Sequence, residues 1–398
     1  MPVTLLRASD IQGVVDEILT ATPFVDIHTH LFPPSFGRLA LWGIDELLTY
    51  HYLEAELFRS SDVRPPQYWA LATPQRADLV WKTLFVENCP VSEATRGVVA
   101  VLTALGLDPA ARSLEGIRRF FITQDLASHI RRVFQLAGVS EVVMTNDPLD
   151  PEEAPLWESG ALPVEGFRPS LRIDRLINEG TRTAHDARQL LETWSKRTKP
   201  VYMAVSLPDS FTFPDAGART VLLREAVLPL CRDLGIPLSL MIGVRRQVNP
   251  DLRSAGDASG RADLRALEAL CGEFPANRFL VSVLSRENQH ELCVYARKFS
   301  NLMPFGCWWF LNNPSIVEEI TRERIEMLGT SFIPQHSDAR VLEQLIYKWR
   351  NTRRTLSPIL ANAYLTVARD GRVVTREEIR RDVERLFRTN FSSFASQL

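Results

Sequence analysis

The 398-residue sequence predicts an α/β fold, a (β/α)8 TIM-type barrel with a helical insertion after its first strand and a C-terminal helical extension. Three observations carry this expectation. Eight short apolar or β-branched runs are spread along the chain, helical patterns fill most of the gaps, and no G-x-G-x-x-G follows a strand to mark an open dinucleotide-binding sheet.

The strand-like runs lie at 23–28, 141–145, 167–173, 201–206, 237–243, 279–284, 302–310 and 331–336, each ending in turn residues. Helical periodicity follows at 190–195, 222–234, 264–274, 287–299 and 316–328. Strands that alternate with helices pair in parallel, and eight of them favour closure into a barrel. The exception to the rhythm is the long gap after the first strand, where 43–58, 68–85, 92–105 and 114–136 read as helices. An insertion over about 43–137 sits in a βα loop, on the face where barrels keep their active sites, and is expected to wall that site. The tail, about 341–398, alternates charge and reads as packed helices, so a single barrel domain over 1–398 is expected. The loops at 146–160 and 249–263 either order over a bound molecule or are plain solvated connections.

Composition narrows the class. With 45% hydrophobic residues, a chain this long buries about three quarters of its unfolded surface, so a large core needs no staples. The formal charge of −2 argues against nucleic acid or an anionic membrane as a partner. Nearly all of the positive charge is arginine, whose forked guanidinium suits carboxylates and phosphates. Five widely spaced cysteines without a C-x-x-C pair fit reduced thiols in a cytoplasm. The first twenty residues lack the unbroken apolar core of a signal peptide, and no run reaches membrane-spanning length. A cytoplasmic, soluble homo-oligomer acting on a small molecule is the expectation.

Chemistry enters at the end of the first strand. Residues at i and i+2 share a strand face, so Asp26, His28 and His30 are expected to point into the barrel, and Phe32-Pro33-Pro34 ends the strand beside them. Two imidazoles from one strand converge on a metal ion, or else line the barrel as a hydrogen-bonded pair. Asp338, at the end of the last predicted strand, is expected next to them, where it can complete a His28, His30 and Asp338 metal site and move a proton. Arg340, two residues on, can polarise a carbonyl or hold a carboxylate, or pair structurally with Asp338.

With these residues in view, the sequence resembles the uronate (glucuronate) isomerase family of the amidohydrolase superfamily, in divergent form. The stretch Asp26 to Leu31 resembles the family's first-strand metal motif, and His51-Tyr52 its His-Tyr pair. Asn146-Asp147-Pro148 resembles a T-x-D-P turn, Phe167-Arg168-Pro169 an F-R-P-D motif, Trp308-Trp309-Phe310 a W-W-F strand, and Ser337 to Arg340 a D-S-R ending. The matches run in order over about 24–345. The resemblance implies a divalent metal, for which the two imidazoles suit zinc, and a sugar-acid substrate gripped by Arg168. It also implies proton transfer by Asp338 and Tyr52, ring opening assisted by His51, and enediol stabilisation by Arg340. Adjacent residues of a strand face opposite ways, so only one of Trp308 and Trp309 is expected to line the site.

Two departures bear on the reaction. The family's strand-five histidine is replaced by Met241, and its D-H-G after strand four by Ser206-Leu207-Pro208-Asp209. Methionine is neither a hard-metal ligand nor a proton carrier. Aldose–ketose isomerisation of a hexuronate is therefore set against metal-dependent hydrolysis or decarboxylation of another small carboxylate, and against a silent binding barrel.

Overall fold

The computed structural model describes residues 5–396. The extreme ends of the expected 1–398 domain, residues 1–4 and 397–398, lie outside the described residues. Seven parallel strands form one sheet: β1 (Phe24–Thr29), β2 (Val139–Asn146), β3 (Phe167–Arg172), β4 (Met203–Pro208), β5 (Leu238–Arg245), β7 (Phe279–Val283) and β8 (Leu302–Pro304). The two-residue β6 (Ala258–Ser259) pairs antiparallel with the end of β5. Side chains inside the curl of the sheet, including Val143, Tyr202, Ala204, Met241, Leu280 and Phe305, form a core separate from the larger one between sheet and helices.

The expected closed barrel is not what forms. The sheet is an open, curled half-barrel whose edges stand 12 Å apart. The segment at 331–336, expected to be the eighth strand, is irregular. It touches one edge through Gly306 N to Ile333 O and Ile333 N to Pro304 O, and residues just beyond it touch the other through Asp338 N to His28 O and His30 N to Ala339 O. Pro334 has no N–H for a ladder, and Asp338 sits at φ 52°, outside any extended conformation, so the segment makes scattered bonds instead of a strand. The expected strand at 302–310 is also shorter. It stops at Pro304, and Gly306 takes φ 62°. A Cβ there would lie 1.8 Å from His336 Nδ1, so a glycine is required where the chain turns past that ring.

Helices fill the long gap after β1, from Ile44–Leu48 to Leu126–Ala137. The insertion meets the loop after β5 directly: Trp69 donates to Asp251 O at 2.8 Å, and the Arg253 guanidinium lies 4.5 Å from the Trp69 ring. Helix Gln344–Arg369 runs behind β1, where Trp349 stacks on Phe24 at 4.1 Å. None of the described helices is long and apolar enough to cross a membrane.

Strand β1 departs from simple alternation. Its register slips between Asp26 and Thr29, so Asp26 does not share the inner face with His28. Its carboxylate instead accepts from Trp349 Nε1 at 2.8 Å and from Ser337 N at 3.1 Å, tying β1 to the outer helix and to the edge segment. Burial pushes the Asp26 carboxyl up to about 6, against the lowering effect of these hydrogen bonds. An unfolded chain loses this proton near pH 4 and the folded one near pH 6, so between those values the folded state binds more protons and stability falls as pH rises. Denaturant unfolding of the wild type and Asp26→Asn at pH 4, 5, 6 and 7 is expected to show the wild type losing ground to the variant across pH 4–6. A constant difference contradicts the assignment.

Candidate active site

His28 and His30 reach the C-terminal end of the sheet with their ring orientations fixed from behind. The Tyr202 hydroxyl donates to Ile27 O at 2.6 Å, which leaves its oxygen to accept from His28 Nδ1 at 3.2 Å. The Thr145 hydroxyl is placed to donate to Thr29 O at 3.0 Å and to accept from His30 Nδ1 at 2.7 Å. With both Nδ1 atoms protonated in this way, both Nε2 lone pairs face Asp338. Asp338 Oδ1 lies 3.7 Å from His28 Nε2 and 3.2 Å from His30 Nε2.

Three acceptors thus converge in a buried space, with one ligand atom from each residue within 4.8 Å of the others. With the rings in these tautomers, a cation satisfies such a set. Burial lowers the imidazole of His28 to about 3, opposed by Asp338, and that of His30 to about 4, assisted by the Arg340 charge. Both rings are therefore neutral at physiological pH, the form in which imidazole can ligate a metal. Two imidazoles and a carboxylate fit a divalent ion with positions left open for substrate.

The cavity beside this cluster is small, about 30 Å³, and is lined by His51, Arg172, Asp174, Met241, Arg246, Trp308, Trp309 and Arg340 as well as the three candidate ligands. It shares Arg172 and Asp174 with neighbouring cavities of about 390 and 430 Å³. His51 starts helix His51–Ser60 and faces the cavity, with its Nε2 unbonded and its basicity depressed first by burial and then by the Arg340 charge. Tyr52 lies behind it, its hydroxyl buried and its ring 5.4 Å from the Lys348 ammonium.

Two expectations need correction. Arg168 does not join the site. It lies near the start of β3, half-exposed and 3.5 Å from Glu141, among residues such as Arg388 and Phe391. In a parallel sheet the functional face is at the strands' C-terminal ends, and there β3 presents Arg172, held by Asp174 at 2.7 Å. Trp308 and Trp309, for their part, both line the cavity, because they follow the end of β8 in a turn where Trp309 takes φ 46° and strand alternation does not apply. His336 also went unassigned from the sequence. It lies 5.4 Å from His28 between ring centroids, buried, with neither ring nitrogen bonded among the described residues.

No family model matches the sequence, and neither does any of the curated proteins. Solved structures do. A uronate isomerase from Bacillus halodurans C-125 is 47% identical, with 98% of this chain and 97% of that one covered and a TM-score of 0.96. The chain belongs to the uronate isomerase family. A uronate isomerase from Thermotoga maritima (16% identical, 98% of each chain, TM-score 0.75) shares the fold. So does a glucuronate isomerase from Caulobacter crescentus (15% identical, 98% of this chain and 96% of that one, TM-score 0.72). In this uronate isomerase Met241 occupies the β5 position level with Ser282, its side chain on the cavity wall and buried. Among the described residues the candidate ligand cluster is therefore built from the end of β1 and the Asp338 turn, without a donor from β5 or β7.

Proposed function

We propose that the protein interconverts a hexuronate aldose and its ketose, of the type glucuronate to fructuronate or galacturonate to tagaturonate. The 47% identity over 98% of the chain to a uronate isomerase carries this reading. The reaction moves a proton from C2 to C1 and a second one from O2 to O1, so it needs a base over the carbon edge and charge stabilisation at the two oxygens. Asp338 takes the C2 proton and returns it to C1. Arg340, on the same turn, stabilises the developing enediolate oxygen. His51 is neutral, faces the cavity and has a free nitrogen, which suits it to shuttle the ring-oxygen proton during opening, with Tyr52 behind it as the reserve acid. Arg172, in place of Arg168, grips the sugar carboxylate, and Trp308 and Trp309 form an apolar wall against the sugar face.

A divalent ion, zinc by the donor set, held by His28, His30 and Asp338 would polarise substrate oxygens when bound. The buried, unpaired thiols fit a reducing cytoplasm as the working compartment. Hydrolysis is the weaker reading, because Met241 and Ser282 give no nitrogen ligand from β5 or β7. The test is incubation with glucuronate and with galacturonate, read by 13C NMR. Appearance of the C2 ketose carbon from one of them is expected, and no ketose from either by protein that carries metal overturns the proposal.

A further inference from the structure

The largest charge imbalance near the site lies outside the small cavity, in the adjoining 390 Å³ cavity at the C-terminal ends of β3, β4 and β5. Four of its lining residues are arginines, Arg172, Arg175, Arg219 and Arg246, against two acids, Asp174 and Glu179. Most of that charge is already matched. Arg172 pairs with Asp174 at 2.7 Å, Arg175 reaches Asp150 at 3.2 Å and Asp147 at 3.4 Å, and Arg246 pairs with Asp257 at 2.6 Å.

Arg219 differs from the other three. Among the described residues no carboxylate lies within 4 Å of its guanidinium, its Nε is buried without a partner, and its one hydrogen bond is a long 3.4 Å contact to Asn178 Oδ1. The nearby Asp215 feels its charge, but that carboxylate is already taken by Thr220 and by the backbone of Gly217. The guanidinium rests 5.8 Å from the Phe211 ring centroid, which fixes one face. Asn178 in turn is locked by its own bond to Ser206 O at 2.9 Å. A guanidinium without its counter-ion, on the wall of a water-accessible cavity, is the pattern of an oxyanion site.

We propose that this cavity is a second anion site, in which Arg219 holds a phosphate-like oxyanion distinct from the carboxylate of the isomerised sugar. It is continuous with the catalytic cavity through Arg172, Asp174, Ser206 and Arg246, which line both. An anion bound there therefore sits beside the substrate-gripping arginine. The same chemistry has two sources, free inorganic phosphate or a phosphate borne by a sugar whose ring reaches toward the catalytic cavity.

The test is 31P NMR titration of inorganic phosphate and, separately, of glucose 6-phosphate into chelator-treated protein, so that no metal competes for phosphate. It compares the wild type, Arg219→Met and Arg219→Lys, each first shown by circular dichroism to be folded. Saturable binding to the wild type is expected, weakened at least about tenfold in Arg219→Met and partly restored in Arg219→Lys. Equal affinity for the two ligands identifies the free anion as occupant, and tighter binding of the sugar phosphate identifies the sugar-borne group. Binding that is the same in the wild type and Arg219→Met, or no saturable binding of either ligand, overturns the proposal. Neither readout depends on isomerase activity.

Discussion

Asp338→Asn is expected to lower kcat on a hexuronate by about 10²- to 10⁴-fold, the range a positioned acid–base group contributes. Asparagine keeps the size and most of the hydrogen-bonding shape of aspartate but cannot take up a proton. The backbone tolerates the exchange as well. Asp338 is left-handed at φ 52°, a conformation asparagine adopts as readily, and the bond from its N–H to His28 O does not involve the side chain. Loss of activity with an unchanged thermal unfolding midpoint and an unchanged metal content therefore reports on chemistry. Turnover within a few-fold of the wild type would remove Asp338 from the proton-transfer role.

His28→Ala is expected to reduce metal affinity by at least about 100-fold, more than the loss of a supporting hydrogen bond costs. The three candidate ligands come from only two segments, and Met241 leaves no spare donor on β5. The Tyr202 hydroxyl, whose oxygen accepts from His28 Nδ1, would also lose that partner. Inductively coupled plasma mass spectrometry after equilibrium dialysis gives the readout without an activity assay. The wild type is expected to retain about one divalent ion per chain and the variant to lose it. Retention of a full equivalent by His28→Ala would show that the ion is held elsewhere.

Much of the candidate cluster was legible because its two histidines stand at a strand's end. His28 and His30 needed only the two-residue period and the proline stop after them, and Asp338 and Arg340 needed only a chain segment beside β1. The failures have local causes. The register slip in β1 turned Asp26 outward, which no alternation rule reveals. Pro334 and the left-handed Asp338 kept the last segment from pairing as a strand, so the sheet stayed open although the residues at that edge still arrived beside His28. Arg168 matches the motif, whereas the direction of a parallel strand favours the residue nearer its C-terminal end, which on β3 is Arg172. The support of His28 by Tyr202, 174 residues away, has no sequence signature, because it depends on how strands separated in the chain meet across the curl.

In the proposed mechanism Asp338, set against His28 and His30, carries a proton between C2 and C1 of a hexuronate. This transfer is measured most directly by 1H and 2H NMR of the favoured uronate and its ketose after incubation in D2O with the wild type and with Asp338→Asn at equal metal content. Deuterium entering at C2 of the aldose or C1 of the ketose with the wild type, and none with the variant over the same time, is the predicted result. Incorporation by Asp338→Asn at a rate close to that of the wild type would contradict the account.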